Sequence, residues 1–169
     1  MSTPESKEAR KRITMERTFA ASVADVWELW TTKDGIESWW GPDGFRVEVR
    51  SIDLRAGGEL HYAMIAAEAD KIEFMKKAGM PTVTEARVRY TEVAPPSRLA
   101  YVAHTDFVPG VTPYDVATQI DLHVEGAKVR MVLSFDPMHD AHWTKMASMG
   151  WESQLGRLEK LLATRGAQP

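Results

Sequence analysis

Hydrophobic and polar residues alternate over most of the chain between residues 10 and 135, a pattern typical of β-strands with one buried face. The clearest pair is residues 116–125 and 129–135, which alternate strictly on either side of Gly126. A glycine between two such segments is typical of a tight antiparallel hairpin. The whole pattern predicts about seven strands, at residues 10–19, 45–49, 60–64, 81–93, 99–107, 116–125 and 129–135.

Two short helices are predicted directly after the first strand. Ser22, followed three residues later by Asp25, matches a helix-capping pattern, and the apolar residues that follow recur on one helical face. Residues 31–40 continue as a second short helical turn or two, broken by Gly35. That helix ends before Gly41 and Pro42, because neither residue favours its continuation.

Residues 139–165 are the longest periodic segment and predict a C-terminal helix. Its apolar face consists of Trp143, Ala147, Gly150, Trp151, Gln154, Leu155, Leu158, Leu161 and Leu162. Gly150 and Gln154 are unusual on such a face, and two interpretations stay open. Either Gly150 admits a close neighbour and Gln154 bonds to backbone or water, or this face covers a cavity in which Gln154 is a polar contact.

These elements predict an α+β fold in which a curved antiparallel sheet of about seven strands wraps around the long C-terminal helix. The sheet must bury one face, and the terminal helix carries the only apolar surface large enough to cover it. Because a seven-stranded sheet curls as it twists, the space beneath the helix can remain open as a pocket. Residues 66–79 break the strand pattern, and either a short helix or a mobile flap fits them. Arg17 shares the apolar parity of the first strand, which predicts a strand end or a buried partner.

Length and charge narrow the classes of function. A chain of 169 residues predicts one domain, at residues 10–165, after a flexible tail at residues 1–9. The net charge of -3, without a long basic run, argues against nucleic acid as a partner. The absence of cysteine excludes disulfides and thiolate chemistry. No apolar stretch is long enough to insert into a membrane, so we expect a cytoplasmic protein.

The histidines give only weak indications of chemistry. His61 and His123 have the polar parity of their strands, which predicts surface positions. His139 and His142 are spaced as two metal ligands on a helix would be, but no third ligand accompanies them, so no metal site is predicted. His104 shares a strand face with Asp106, and this pair could transfer protons if that face points into a cavity. If the face points outward, the pair is solvated.

Six tryptophans and nine methionines are many for this length, and they suit a pocket that encloses an apolar molecule. Trp27 and Trp30 lie on one helical face, where packing in the core or at its rim is the simpler interpretation. Trp39, Phe74 and Trp143 lie near predicted loops or a helix start, which favours a pocket mouth.

Several motifs together resemble one family. They are ValTrp at 26–27, TrpTrpGlyPro at 39–42, AspLeuArgAlaGlyGly at 53–58, ProProSerArgLeu at 95–99 and GlyTrp at 150–151. The chain resembles the domain related to the C-terminal half of the activator of the heat shock protein 90 ATPase, over roughly residues 12–164. That family belongs to the START-like (SRPBCC) superfamily, whose helix-grip fold is also found in the birch-pollen allergen. Two features differ from the usual family pattern: the long segment 66–79, and Lys128 in place of a threonine.

The resemblance implies a seven-stranded sheet that grips a long helix over a hydrophobic cavity, and it implies no catalytic residues. We therefore expect a binder of a small hydrophobic or amphipathic molecule, as a monomer or homodimer, without a cofactor. The predicted cavity residues are Trp39, Tyr62, Met64, Phe74, Tyr101, His104, Phe107, Tyr114, Met131, Trp143, Gly150 and Gln154. Two alternatives stay open: an interaction module with a chaperone as partner, and an enzyme of the cyclase or hydrolase kind.

Overall fold

A computed structural model of the chain describes residues 12–41, 44–105 and 110–166. The strands are β1 (Ile13–Phe19), β2 (Phe45–Ile52), β3 (Glu59–Ala66), β4 (Val83–Ala94), β5 (Arg98–Thr105), β6 (Tyr114–Glu125) and β7 (Lys128–Phe135). The helices are α1 (Val23–Thr31), α2 (Lys33–Trp39), α3 (Ala69–Lys77) and α4 (Ala141–Gly166). The predicted α+β class and order of elements are confirmed. The proposed tail at residues 1–9 lies outside the described residues.

All seven strands form one open, curved antiparallel sheet, in the order β1-β7-β6-β5-β4-β3-β2. From β2 to β7, each strand pairs with the next strand in sequence. Their alternating patterns place the apolar side chains of paired strands on the same face. β1 is an edge strand and pairs with β7, with Ile13 opposite Phe135. Helices α1, α2 and α4 pack on the inner face of this curved sheet, which makes the architecture a helix grip.

Local sequence signals set the two short helices. Ser22 caps α1 by accepting a hydrogen bond from the Asp25 amide at 3.1 Å, and Thr32 caps α2 by accepting from the Gly35 amide at 3.0 Å. Gly35 is required where the helices meet, since a Cβ there would lie 2.4 Å from the Glu28 carbonyl oxygen. The predicted break at Gly35 is therefore wrong: this glycine lies within α2, where it allows the close contact with α1.

Helix α4 packs against the sheet with its C-terminal half. Leu155, Leu158 and Leu162 are buried in the core, as the periodicity predicts. Arg17 extends from the inner face of β1 and forms an ion pair with Glu152 of α4, so it has a partner, but that partner is exposed and not buried as expected. None of the described helices is long and apolar enough to cross a membrane.

The segment that interrupts the strand pattern forms helix α3, so the helical alternative for residues 66–79 is confirmed. No residue of α3 is buried, and Phe74 remains 56% exposed. The segment is attached before the helix starts, where the amides of Ala67 and Glu68 both donate to the Gly44 carbonyl.

Candidate functional site

One end of the inner face of the sheet is only partly covered. At the other end, residues such as Phe19, Leu99 and Leu122 are buried. At the end where α4 begins, several inward-facing side chains keep accessible surface, and we refer to six of them as the open end: Ile13, Tyr62, Met64, Ala86, Ala103 and Tyr114.

The N-terminal half of α4 does not cover this region tightly. Over residues 141–154 no residue is buried, whereas the next turns bring three leucines into the core. A cleft of about 1180 Å³ opens beside the first turn of α4. Ile13 and Tyr114 of the open end line this cleft, together with residues 136–141 and Lys145.

Polar contacts fix the rim of the cleft. The Tyr114 hydroxyl accepts a hydrogen bond from the His139 amide at 3.1 Å and lies 2.7 Å from His139 Nδ1. Asp140 accepts from the Trp143 amide at 2.8 Å and so caps α4. His139 therefore precedes the helix and bonds to β6. In the described part of the chain, no group of three or more His, Cys, Asp or Glu side chains is placed to hold a metal ion.

An aromatic cluster lies deeper on the inner face, where α1, α2 and α4 meet strands β3, β4, β5 and β7. Its members are linked by ring contacts: Trp30, Trp39, Trp40, Tyr62, Tyr90, Tyr101, Phe135 and Trp151. Trp40 connects this cluster to the open end, since its ring centroid lies 5.2 Å from that of Tyr62 in an edge-to-face arrangement.

The phenols of Tyr62, Tyr90 and Tyr101 share one environment. Burial raises the pKa of Tyr62 to about 12, although its side chain is only half-buried. Burial, and secondarily repulsion from the neighbouring tyrosines, also raises the pKa of Tyr90 and of Tyr101.

Three buried polar atoms in this cluster have no hydrogen-bond partner among the described protein atoms: Trp30 Nε1, Trp40 Nε1 and the Tyr90 hydroxyl. By contrast, Trp39 Nε1 donates to the Leu29 carbonyl at 2.8 Å. Most buried polar groups in folded proteins are paired, because an unpaired group loses its bonds to water without replacement. Three exceptions in one cluster therefore mark it as a candidate binding site.

The turn between β2 and β3 holds Tyr90 in place. The Gly57 amide donates to the Tyr90 carbonyl at 2.7 Å, and the Tyr90 amide donates to the Gly58 carbonyl at 2.9 Å. Gly58 cannot carry a side chain there, because a Cβ would lie 2.1 Å from the Asp53 carbonyl oxygen. The two glycines thus fix the backbone of a residue whose hydroxyl is unpaired.

Polar side chains of α4 hold the turn that carries Trp40. Gln154 Oε1 accepts a hydrogen bond from the Gly41 amide at 2.8 Å. Arg157 Nη1 donates to the carbonyls of Gly41 at 2.7 Å, Phe45 at 3.1 Å and Trp40 at 3.3 Å. For Gln154 the backbone-bonding interpretation is confirmed, so its oxygen is not a free cavity contact.

Gly150 does not admit a close neighbour, since a Cβ there would meet nothing within 4 Å. That part of the packing interpretation is wrong: the glycine borders open space on α4. Whether a ligand uses this space stays a prediction.

Several predicted cavity residues lie elsewhere. Trp39 was expected at a pocket mouth but is fully buried, because its indole packs between α1 and α2. His104 was a candidate cavity residue but lies on the outer face of β5, where it is exposed and pairs with Asp115 at 3.0 Å. The alternation places Tyr101 and Thr105 inward and His104 outward. Asp106, its expected partner, lies outside the described residues.

The other predicted positions divide into three groups. Tyr62, Met64 and Tyr114 belong to the open end, and Tyr101 and Met131 are buried on the same face. Phe74 on α3 and Trp143 on α4 lie in the two helical segments that bury no residue. Phe107 lies outside the described residues. His61 and His123 lie on the outer face, as their parity predicts.

Sequence reasoning did not select Trp40 or Tyr90 as site residues, and it assigned Trp30 to packing. Trp40 belongs to the TrpTrpGlyPro motif, and Tyr90 has the inward parity of β4. Periodicity indicates that these side chains are buried, but it does not indicate that their polar atoms lack partners.

A model of the family described as "Activator of Hsp90 ATPase homolog 1-like protein" matches residues 20–163. The chain belongs to this family. Membership agrees with the START-like superfamily that the motifs indicate. The family model covers the whole aromatic cluster and every residue of the open end except Ile13.

Solved structures from the same fold are distant in sequence. Protein CV1439 from Chromobacterium violaceum is 21% identical, with a TM-score of 0.73, and the match covers 89% of this chain and 96% of that one. The AHSA1 protein from Silicibacter pomeroyi is 18% identical, with a TM-score of 0.71 and coverage of 92% and 99%. The AHSA1-like protein from Aeromonas hydrophila is 19% identical, with a TM-score of 0.71 and coverage of 94% and 96%. These likenesses establish the fold alone, and no functionally curated protein matches the chain.

Proposed function

We propose that the chain binds a small hydrophobic or amphipathic molecule at the open end, between the inner face of the sheet and the N-terminal half of α4. The observation that carries this proposal is the accessible surface on the inward-facing side chains of the open end, where α4 buries no residue.

The character of the open end supports an apolar ligand with a polar group. Met64, Ala86 and Ala103 supply apolar surface, and Met64 can adapt to the shape of a ligand. Tyr62 and Tyr114 add aromatic rings with hydroxyls. Apolar surface that stays accessible costs free energy in water, and covering it with a ligand recovers that cost at about 25 cal/mol per Å².

A blocking substitution with a matched control tests the proposal. Ala86→Trp places a large side chain on the inner face beside Tyr62, its cross-strand neighbour. Ala100→Trp makes the same change on the outer face of β5, opposite Gln119. Lipids, flavonoids and aromatic polyketides are screened by tryptophan fluorescence and thermal shift, with circular dichroism to confirm that both variants fold.

We expect a ligand from the panel to raise the melting temperature of the parent chain and of Ala100→Trp, because binding to the folded state stabilises it by mass action. Ala86→Trp should lose that shift. Binding that survives Ala86→Trp and fails in Ala100→Trp would contradict the proposed location. A panel without any binder would contradict the proposed function.

A second candidate function follows from the family description, which refers to activation of the Hsp90 ATPase. We propose as this alternative that α4 contacts a chaperone. Met146 and Met149 are 42% and 57% exposed and lie three residues apart on α4, so they form an apolar surface outside the ligand site. Stimulation of a purified chaperone ATPase that is lost on Met146→Lys and Met149→Lys would support it, and the absence of stimulation would refute it.

A further inference from the structure

We propose that the cleft beside the first turn of α4 hydrolyses aryl esters, with Tyr114 as the nucleophile and His139 as its general base. This reaction goes beyond the proposed binding function and does not depend on it. It is carried by the contacts among Tyr114, His139 and Asp140, which lie together on the wall of one cleft.

The Tyr114 hydroxyl is directed at the imidazole of His139. Its oxygen accepts a hydrogen bond from the His139 amide at 3.1 Å and lies 2.7 Å from Nδ1 of the same residue. Asp140 Oδ2 lies 3.5 Å from Nε2, and this carboxylate favours a hydrogen on Nε2. Nδ1 is then an acceptor, so the phenol donates its hydrogen to it.

Hydroxyl, imidazole and carboxylate follow one another here in the order that activates a nucleophile. When the phenol oxygen attacks a carbonyl carbon, its proton passes to Nδ1, and the carboxylate stabilises the imidazolium that forms. The His139 side chain is only 21% exposed, which limits competition from water for Nδ1. Tyr114 and His139 therefore act as catalytic residues, and Asp140 acts as a positioning residue.

The start of α4 supplies groups that stabilise negative charge on the attacked carbonyl oxygen. Ala141 and His142 are its first two residues, and the amides at the start of a helix have no acceptor within it. Such amides bind anions, and Ala141 lines the cleft. Lys145 lines the same cleft one turn further along and adds a positive charge. The cleft thus combines a nucleophile, a base and an oxyanion site.

The leaving group decides the class of substrate. Attack forms an ester between the acyl group and the Tyr114 oxygen, and it breaks the bond from the carbonyl carbon to the leaving oxygen, which takes the proton from His139. Because a phenolate leaves far more readily than an alkoxide, an alkyl ester would expel Tyr114 again, whereas an aryl ester reacts forward. Water then attacks the acyl-tyrosine and gives its proton to His139. The carboxylic acid is released, and the proton returns to the Tyr114 oxygen.

The cleft wall favours an uncharged, apolar acyl group. Ile13, Val111 and Met138 provide apolar surface in the cleft. Asp115 and Asp136 also line it, and their carboxylates disfavour an acyl group that carries a negative charge. The cleft volume of about 1180 Å³ exceeds what a small aryl ester needs. We therefore choose p-nitrophenyl butyrate as the probe.

The test follows release of p-nitrophenol by absorbance and locates the acyl group by mass spectrometry of peptides from acid-quenched protein. Tyr114→Phe keeps the ring and removes the nucleophile. His139→Gln removes the base and keeps the amide that donates to Tyr114. His142→Gln is the matched control, because His142 is exposed on the first turn of the same helix. Circular dichroism confirms that each variant folds.

We expect a butyryl group on Tyr114 in the parent chain and in His142→Gln. His139→Gln should lower the rate of hydrolysis about 100-fold, the lower end of the range for general-base catalysis. Tyr114→Phe should remove the adduct and lower the rate at least as far. Asp140→Asn keeps an oxygen that can cap α4, so it should lower kcat while it leaves KM unchanged.

The contrary results are equally defined. Butyryl groups on lysines or histidines, without any on Tyr114, overturn the assignment of the nucleophile. An equal loss of rate in His142→Gln and His139→Gln overturns the assignment of the base. A parent chain that hydrolyses the ester no faster than Tyr114→Phe overturns the reaction. Ligand binding at the open end is then still measured by fluorescence and thermal shift, so failure of this reaction is distinguishable from failure of the proposed function.

Discussion

Arg157 provides the strongest test of how α4 fixes the site. Its Nη1 atom lies 2.7 Å from the Gly41 carbonyl, 3.1 Å from that of Phe45 and 3.3 Å from that of Trp40. One guanidinium nitrogen carries two hydrogens, so it supplies two good bonds, and the longest contact shares one of them. Arg157→Met keeps the aliphatic part of the side chain and removes these bonds.

The magnitude follows from the contacts. A hydrogen bond to a charged group contributes about 1.5–3 kcal/mol, and the half-buried position of Arg157 places these two bonds at the low end of that range. We expect Arg157→Met to lower the free energy of unfolding by about 2–4 kcal/mol. With a urea dependence of about 2 kcal/mol per molar, the midpoint should fall by about 1–2 M.

Lys160→Met is the matched control, because Lys160 is exposed on the same helix. It should change stability by less than about 0.5 kcal/mol. Gln154→Leu removes the bond to the Gly41 amide, so the double variant with Arg157→Met should show coupling, since both side chains hold one residue. If Arg157→Met is no more destabilising than Lys160→Met, this account of how the Trp40 turn is held is refuted.

Three further predictions concern pH and backbone packing. The Glu37 carboxylate accepts a β2 backbone amide, which lowers its pKa below 4.5, so its contribution to stability is lost as pH falls through that lowered value. Glu37→Gln should therefore flatten the fall in urea midpoint below about pH 5, and an unchanged slope would contradict this. Tyr62, with its pKa raised to about 12, favours folding only while neutral. The free energy of unfolding should therefore decline above about pH 10, and it should decline less steeply in Tyr62→Phe. In that variant, tyrosine absorbance should show one phenol fewer ionising at high pH. Gly58→Ala should destabilise by more than about 2 kcal/mol because its Cβ meets the Asp53 carbonyl, whereas Gly156→Ala, with open space around it, should not destabilise. Equal urea midpoints for the two alanine variants would refute the close approach.

The strands and helices were predictable because each depends on local sequence. Alternation identifies the strands on both sides of Gly126, and Ser22 marks the start of α1 through a contact within one helical turn. The packing of α4 against the sheet was predictable from the spacing of Leu155, Leu158 and Leu162. These features need only periodicity and capping, which a single sequence contains.

The site was less predictable because it depends on contacts between distant residues. Gln154 and Arg157 bond to a turn more than a hundred positions away, and no local pattern indicates that pairing. The sequence does not indicate which residues of β5 point inward, so His104 was assigned to the cavity. In the structure His104 lies opposite Asp115 of β6, and both side chains are on the outer face. Tyr90 is a site candidate only because its hydroxyl lacks a hydrogen-bond partner. Whether a buried group finds such a partner depends on three-dimensional packing.

The accessible space at the open end can be tested most directly by nuclear magnetic resonance on protein labelled at the methionine methyl groups, with an aromatic ligand from the screening panel added as the probe. The account predicts nuclear Overhauser contacts between the ring protons of the bound probe and the methyl group of Met64, which is half-buried on the inner face. Met146 and Met149, exposed on α4, should show none. Contacts to Met146 and Met149 without any to Met64 would contradict an internal binding site.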